Sequence, residues 1–442
     1  MSGVPPGPTE APAWQTARWL LRPISFLEDC RRRYGDAFSV MFLGFQTPMV
    51  MLSDPEAIRA LYTEPRNGLP PGRTFALRPI MGARSVLLLE GAEHLQRRKV
   101  MLPPFHGDRV RAYEPIVRDA AEREIATWPV AEPFAIHPRM QAVTLEVILR
   151  AVFGVEERDR REELAQKLRT LLHRTSSPAL QFGMLAARRL GVRGPMERIE
   201  RDNAELDARL LREIRSREVS PSDPLKFGSP DDVTGDDILS LLKQARFEDG
   251  SAMSDREIRD QLVTLLLAGH ETTATGLAWT FDLLVRHPAA LARLTDEVDA
   301  GGDTYLRAVV AESLRLRPVV PLAGRRLAVP LETEKLSLPA GTDVTPAIWL
   351  THTRGETYPD PYAFRPERFV GASPQPYAWI PFGGGVRRCL GAAFAELEMR
   401  VVLAAVVRAR ALQTVTPRAE RVARRNVTFS PAGGTRLIAT AR

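Results

Sequence analysis

One long helix signal in the second half of the chain restricts the fold more than any other feature. Ser254 is a good N-cap, and Glu257 three residues on completes a capping box. A helical pattern then runs unbroken to Arg286, and Pro288 follows as a stop. At ~1.5 Å per residue this rod is roughly 48 Å long, enough to cross a whole domain. Its middle, LVTLLLAGHETTATGLAW, is apolar nearly all round except for one polar island, so the helix belongs in a core.

The rest of the chain reads as mostly helical. Residues 91–217 follow a helical pattern broken by Pro and Gly, a shorter helix covers about Thr304–Leu316, and another strong one covers residues 390–410. Ala37–Leu52 reads as a strand hairpin, and residues 326–350 alternate and turn like short strands. Residues 68–90 lack a period and read as a long loop, 219–237 as a polar surface linker, and 353–388 as irregular chain. The expected class is mainly α with small β-sheets.

Composition narrows the function. Hydrophobic residues at 44% and charged residues at 26% are ordinary for a globular protein. Apolar runs such as Val263–Ala268 fall far short of the ~20 residues of a membrane span. The Pro-rich N-terminus has no basic region followed by an apolar core, so residues 1–20 are expected as a flexible segment rather than a signal peptide, and a cytoplasmic protein without a membrane anchor is expected. Two cysteines, Cys30 and Cys389, exclude a disulfide scaffold and a Cys-rich zinc or iron–sulfur site. The balance of 61 Lys+Arg against 54 Asp+Glu, a net +7, fits a basic patch for an acidic partner. No basic run is interleaved with aromatics, so nucleic acid is not expected as a partner.

Cys389 closes the string Phe382-Gly-Gly-Gly-Val-Arg-Arg-Cys389-Leu-Gly391, just before the 390–410 helix. Glycines let backbone approach a flat, bulky object and adopt positive φ. A cysteine at a helix N-terminus is expected to have a lowered pKa. Arg387 is placed to neutralise a carboxylate of whatever the thiolate holds. A buried structural cysteine after a Gly-rich turn is the plainer alternative. The string is neither a phosphate loop nor a dinucleotide fingerprint, because Val386-Arg387 stands where Lys-Ser/Thr is needed and Arg388 where a third Gly is needed. In the long helix, Gly269-His270-Glu271-Thr272 is no zinc motif, since Ala274 stands where a second His is required. Gly269 and the Thr hydroxyls suggest a widened turn there. Glu312 and Arg315, spaced i, i+3, share a helix face, as do His94 and Arg98 at i, i+4.

Taken together these strings resemble the cytochrome P-450 family. Phe382, Gly385, Arg387, Cys389 and Gly391 match all five positions of its haem-binding loop. Ala268-Gly269-His270-Glu271-Thr272 looks like its oxygen-activation motif, and Glu312, Arg315 and Arg368 look like its Glu-x-x-Arg pair with the later Pro-Glu-Arg-Phe arginine. The resemblance spans residues 94–391 in order and implies a cytochrome P-450 fold: a single haem-binding domain over residues 1–442 crossed by the long helix. It implies haem b, with Cys389 as iron ligand and His94, Arg98 and Arg325 (or its neighbour Arg326) on the propionates. Glu312, Arg315 and Arg368 become a structural network, and Glu271 with Thr272 the proton relay to bound dioxygen.

The implied activity is monooxygenation of a lipophilic small molecule (fatty acid, terpenoid or steroid-like). O2 is a co-substrate, and electrons come from a ferredoxin or flavodoxin with its reductase. Arg97, Arg98, Lys99, Arg109, Arg111 and Arg388 are expected to form the basic docking patch on what is expected to be a monomer. By position the substrate pocket takes in Phe75, Leu77, Leu87, Leu180, Phe182, Leu265, Ala268, Val320, Leu322 and Phe429. The alternatives are a peroxide-using haem-thiolate enzyme, against which the presence of both Glu271 and Thr272 argues, and a non-catalytic haem sensor.

Overall fold

The computed structural model describes residues 4–69, 78, 80–155, 157–175, 194–217, 237–425 and 427–442. The long rod forms as its sequence predicts: α11, after ten shorter helices, spans Asp255–Arg286 without a break. Ser254 Oγ accepts from Glu257 N–H and the Glu257 carboxylate accepts from Ser254 N–H, so two orphan donors of the first turn are satisfied reciprocally. The widened turn expected at Gly269 is not present. Thr272 Oγ1 does bond back to the Ala268 carbonyl, and the helix accommodates it.

Around α11 the other helices follow in order: α1 Pro12–Leu21, α2 Pro23–Tyr34, α3 Pro55–Thr63, α4 Gly91–Met101, α5 Asp108–Ala112, α6 Glu114–Ala126, α7 Ile136–Val147, α8 Arg158–Thr175, α9 Gly194–Ser216 and α10 Ile238–Gln244. Beyond it come α12 Pro288–Asp299, α13 Thr304–Leu316, α14 Ile348–His352 and α15 Ala392–Ala409. The main core joins α6, α7, α11, α13 and α15 through residues such as Val117, Met140, Leu277, Phe281, Val309 and Val402. The last turn of α7 widens into a π-turn over Ile148–Val152. A Cβ on Gly269 of α11 would lie 3.6 Å from Ile148 Cδ1, so the two helices approach closely at that point.

The expected hairpin is β1 Ala37–Val40 paired antiparallel with β2 Met49–Leu52, Ala37 opposite Leu52. The short strands after α13 are β4 Arg325–Arg326, β5 Leu331–Glu332, β6 Ser337–Leu338 and β7 Asp343–Pro346. β7 runs parallel to β2 with Met49 beside Asp343, which makes one four-stranded sheet, β1-β2-β7-β4. This sheet brings the N-terminal hairpin against the strands that follow α13. The C-terminal strands β8 Arg410–Thr414, β9 Val422–Arg425, β10 Thr428–Pro431 and β11 Arg436–Ala441 complete two small sheets, one of which takes in β3 Pro133–Ala135. Among the described residues, no helix is long and apolar enough to cross a membrane.

Of the first 20 residues, those described, 4–20, depart from expectation. They are not a loose tail: α1 lies within them, Gln15 and Trp19 are buried, and Ser39 N–H donates to the Pro6 carbonyl at 3.1 Å. The reason is tertiary. Trp19 stacks at 5.9 Å on Phe42 of the hairpin and at 5.7 Å on Phe429 of β10, partners that lie far off in sequence. Trp19→Ala should therefore lower unfolding free energy by about 3–5 kcal/mol in urea titrations. Exposed Trp14→Ala on the same helix should change it by less than about 0.5 kcal/mol. Equal, small effects would mean the segment is not part of the cooperative fold.

Candidate active site

Halfway along α11, Leu265, Leu267, Ala268, Gly269, Glu271 and Thr272 keep accessible surface between buried stretches. The spacing i, i+3, i+4, i+7 places Leu265, Ala268, Gly269 and Thr272 on one stripe. That stripe is apolar apart from the Thr272 hydroxyl. Glu271 lies about a quarter-turn round the helix from it and meets α7 instead. Gln141 Nε2 donates to Glu271 Oε2 at 2.6 Å, and His137 Nε2 lies 3.6 Å from Oε1. Burial pushes the Glu271 carboxyl above its usual range, while Gln141, Arg425 and Thr275 pull it back.

Cys389 sits just ahead of α15. Its N–H donates to the Phe382 carbonyl at 2.9 Å, which closes the loop on itself. Gly383 and Gly385 have φ of +66° and +64°, conformations that glycine adopts without strain. A Cβ at Gly384 would fall 2.3 Å from Tyr62 Cδ2, and one at Gly385 would fall 2.3 Å from the Tyr62 carbonyl. These glycines thus make room for the end of α3. The Cys389 side chain is exposed within the fold, yet dense protein surrounds it. That burial pushes its thiol up, opposed by the Gly391 N–H, Arg388 and Arg98. The lowering expected from the helix dipole is outweighed by desolvation.

A second cluster gathers beside this loop. His94 on α4 is buried, and burial together with Arg387, Arg98 and Arg325 pushes its pKa down to about 4. Arg325, buried in β4, lies 5.7 Å over the Tyr62 ring and donates to the Gly324 carbonyl at 2.9 Å. Neither Arg98 nor Arg325 pairs with a carboxylate among the described residues. Arg326 points elsewhere, to Asp343 at 3.4 Å, so Arg325 is the arginine that faces His94. Like charges held together in a buried place are costly without an anion between them.

Behind the loop, Glu312 and Arg315 of α13 expose no surface and bond in a bidentate pair at 2.6 and 2.7 Å. Arg315 also donates to the carbonyls of His352 and Pro361, each at 2.8 Å. Glu312 accepts from Arg365 N–H and makes a 3.4 Å ion contact with Arg368, whose Nη2 donates to the Asp360 carbonyl. Sequence reasoning missed His352. Its Nδ1 is 3.0 Å from the Arg315 carbonyl, so it must donate, and its Nε2 accepts from Ile380 N–H at 2.8 Å. That imidazole ties the buried pair to the chain just before Phe382. Its only sequence signal was a lone His in an apolar run, IWLTH.

Three comparisons bear on this arrangement. A model described as Cytochrome P450 matches residues 5–422. The chain belongs to the cytochrome P450 family. A Mycobacterium tuberculosis protein given the provisional name cytochrome P450 135B1 is 41% identical over 98% of this chain and 91% of its own length. A second from that organism, provisionally cytochrome P450 137, is 39% identical over 92% of this chain and 83% of its own. Among solved structures, retinoic-acid-bound cyanobacterial CYP120A1 superposes with a TM-score of 0.81 at 24% identity, covering both chains fully. The haem domain of cytochrome P450DA gives 0.80 at 21%, covering this chain fully and 98% of its own, so these two speak for the fold.

P450s are haem-thiolate monooxygenases that bind haem b and generally use redox partners and O2. The residues of this chain fit that group: an accessible thiol, an apolar stripe with one hydroxyl on α11, and Arg98 and Arg325 beside His94 with no carboxylate partner among the described residues.

The pocket residues divide. Leu265 and Ala268 lie on the open stripe, Val320 is partly accessible, and Leu87 is exposed. Phe75, Leu77, Leu180 and Phe182 lie outside the described residues. Phe429 is a correction: it is 2% exposed and packs on Trp19, and Leu322 lies against the same cluster, so both serve the core. The basic patch also shrinks. Arg97 pairs with Glu257 at 2.6 Å and covers the Phe247 ring, Lys99 pairs with Glu248 at 2.6 Å, and Arg111 pairs with Asp108.

His352 generates a pH prediction. Burial holds its pKa down to about 3 in the fold against an ordinary 6.5. Below pH 6.5 the unfolded chain takes up a proton that the folded one refuses, so this group's contribution to stability falls as pH drops toward 3. His352→Phe leaves the Ile380 N–H and the Arg315 carbonyl unpartnered and should cost about 2–4 kcal/mol at pH 7. From pH 7 to 5 the wild type, but not the variant, should lose about 2 kcal/mol from this one group. Urea unfolding at the two pH values checks that narrowing.

Proposed function

We propose that this P450 hydroxylates a lipophilic small molecule of the fatty acid, terpenoid or steroid kind, with Cys389 as the haem-iron ligand and Glu271 and Thr272 as the proton-delivering pair. The observation that carries this reading is an accessible Cys389 thiol at the end of a glycine loop, in a chain whose long helix keeps the Leu265–Thr272 stripe accessible. Bound haem supplies the reducible iron on which dioxygen is activated.

The chain's own residues do the rest. Cys389 is held by its N–H bond to Phe382 and receives the Gly391 N–H, which steadies negative charge on sulfur. His94, Arg98, Arg325 and Arg387 are the residues that would neutralise the two propionates. The Thr272 hydroxyl, on the accessible stripe, rests on the Ala268 carbonyl and would turn from it to serve as the donor to bound dioxygen. Glu271 behind it is the acid of the pair, its carboxyl raised by burial and drawn back by Gln141, Arg425 and Thr275. Leu265, Ala268 and Val320 present methyl and methylene surface and exclude water, which favours an apolar ligand.

Electrons would come from an acidic ferredoxin or flavodoxin with its reductase. Exposed Arg388, beside Cys389, supports docking there. A cytoplasmic location agrees with such carriers.

Two measurements test this reading. Under carbon monoxide, the reduced wild type should show the red-shifted Soret band of a thiolate-ligated haem, and Cys389→Ala should abolish it. An unchanged band in Cys389→Ala would overturn the ligand assignment. With an electron-transfer system and a substrate found by a spin-state screen, Thr272→Ala and Glu271→Gln should divert electrons from product to peroxide. A loss of product per electron of about 10- to 100-fold is expected. Full coupling in both variants would favour a peroxide-using enzyme instead.

A further inference from the structure

The carboxyl of Glu271 is held by a helix that carries none of the motifs above. On α7, His137 and Gln141 are spaced i, i+4 and so share a face. Gln141 Nε2 reaches Glu271 Oε2 at 2.6 Å, and His137 Nε2 stands 3.6 Å from Oε1. Thr275, one turn further along α11, fills the gap. Its hydroxyl bonds Glu271 and lies 3.2 Å from His137 Nε2. His137 is 1% exposed, and its backbone N–H is fixed to the Gly434 carbonyl at 3.0 Å, so the ring has little freedom to leave.

Hydrogen accounting orders the group. An ionised Glu271 can only accept, so the Thr275 hydroxyl must donate to it, and the oxygen of that hydroxyl then accepts the His137 Nε2–H. Two direct donors, the Gln141 amide and the Thr275 hydroxyl with His137 behind it, thus await the carboxylate that proton transfer leaves behind. When Glu271 holds its proton, the imidazole is free to carry hydrogen on Nδ1 and accept at Nε2. Burial raises Glu271 and pushes His137 down to about 4, so acid plus neutral imidazole is favoured over carboxylate plus imidazolium. Two other groups face the pair. Arg425 of β9 acts on both members. His270 of α11 is engaged with Thr144 Oγ1 of α7 at 2.9 Å and is itself held neutral, its pKa pushed down to about 4.

We propose that His137 is a positioning residue for Glu271: with Thr275 and Gln141 it fixes the carboxyl against α7 and governs how readily that carboxyl loses and regains its proton. The inference rests on reading Glu271 as the proton-delivering acid. No electrons move in this step. A proton leaves a Glu271 oxygen toward the Thr272 side, the carboxylate is held by the Gln141 amide and the Thr275 hydroxyl, and a proton from water restores the acid.

The test uses the haem-loaded ferric protein without turnover. The infrared carbonyl band of protonated Glu271 is identified by its loss in Glu271→Gln, then titrated with pH. His137→Phe removes the donor behind Thr275, so the carboxylate is less stabilised and the acid dissociation constant should fall about tenfold. His137→Gln, which keeps an N–H at similar reach, should restore most of the wild-type value. Thr275→Val breaks the series at its middle and should shift the titration the same way, which keeps the proposal testable if His137→Phe does not fold. Identical titrations in wild type, His137→Phe and Thr275→Val would overturn it, and so would a band absent across the whole pH range. Full coupling in Glu271→Gln with a shifted titration in His137→Phe would refute the role of the acid while leaving its positioning by His137 intact.

Discussion

A pair of opposite charges with no exposed surface governs the architecture. Removing Glu312 and Arg315 from water carries a desolvation cost that one bidentate contact does not repay. The fold offsets it by converging backbone on the pair: the carbonyls of His352, Pro361 and Ala363 and the Arg365 N–H all turn toward it. Those groups belong to the irregular stretch between α14 and the Cys389 loop, which has few backbone ladders of its own. The ion pair therefore replaces secondary structure as the organiser of that stretch. Losing one partner would strand a buried charge and about five hydrogen-bonding groups with it, an effect of the order of 3–5 kcal/mol or more.

The influence of the pair reaches the thiol through one imidazole. His352 receives the Ile380 N–H on one ring nitrogen and gives its other hydrogen to the Arg315 carbonyl. Two residues beyond Ile380, the Phe382 carbonyl accepts the Cys389 N–H. The position of the sulfur is thus fixed by a chain of directional bonds that begins in α13. On the other side of the loop, Tyr62 packs so closely on Gly384 and Gly385 that any side chain there would collide with it. The loop is clamped from both faces before any cofactor is considered.

How much of this is legible in sequence depends on the range of the interaction. The α11 helix was readable because its cap and its stop are local: Ser254, Glu257 and Pro288 act within four residues of its ends. The Glu312–Arg315 spacing was likewise readable, although its burial became an expectation only through the family resemblance. Trp19, His137 and His352 were not readable, since each acts on a partner more than twenty residues away and none sits in a pattern with a period. At Gly384 and Gly385 the need for glycine was plain, while the close approach of Tyr62 that also requires it was not, because Tyr62 lies far off in sequence. Phe429 failed for the same reason as Trp19, because an aromatic in a short strand reads alike whether it lines a cavity or fills a core.

The crowding of cations beside the loop gives these constraints a direction. A fold that buries His94 with Arg98 and Arg325 beside it, neither arginine paired with a carboxylate among the described residues, has concentrated positive potential there. Such an arrangement lowers the stability of the protein alone, and an anion that binds there returns the cost as affinity. Two carboxylates on a flat apolar body are a close match to this distribution of charge and apolar surface. The same logic separates the cation cluster from the α11 stripe. Charge is collected beside the Cys389 loop, while on α11 Glu271 is turned aside to α7, where burial raises its carboxyl. Apolar surface can then face the reacting position while the acid stays one quarter-turn behind it.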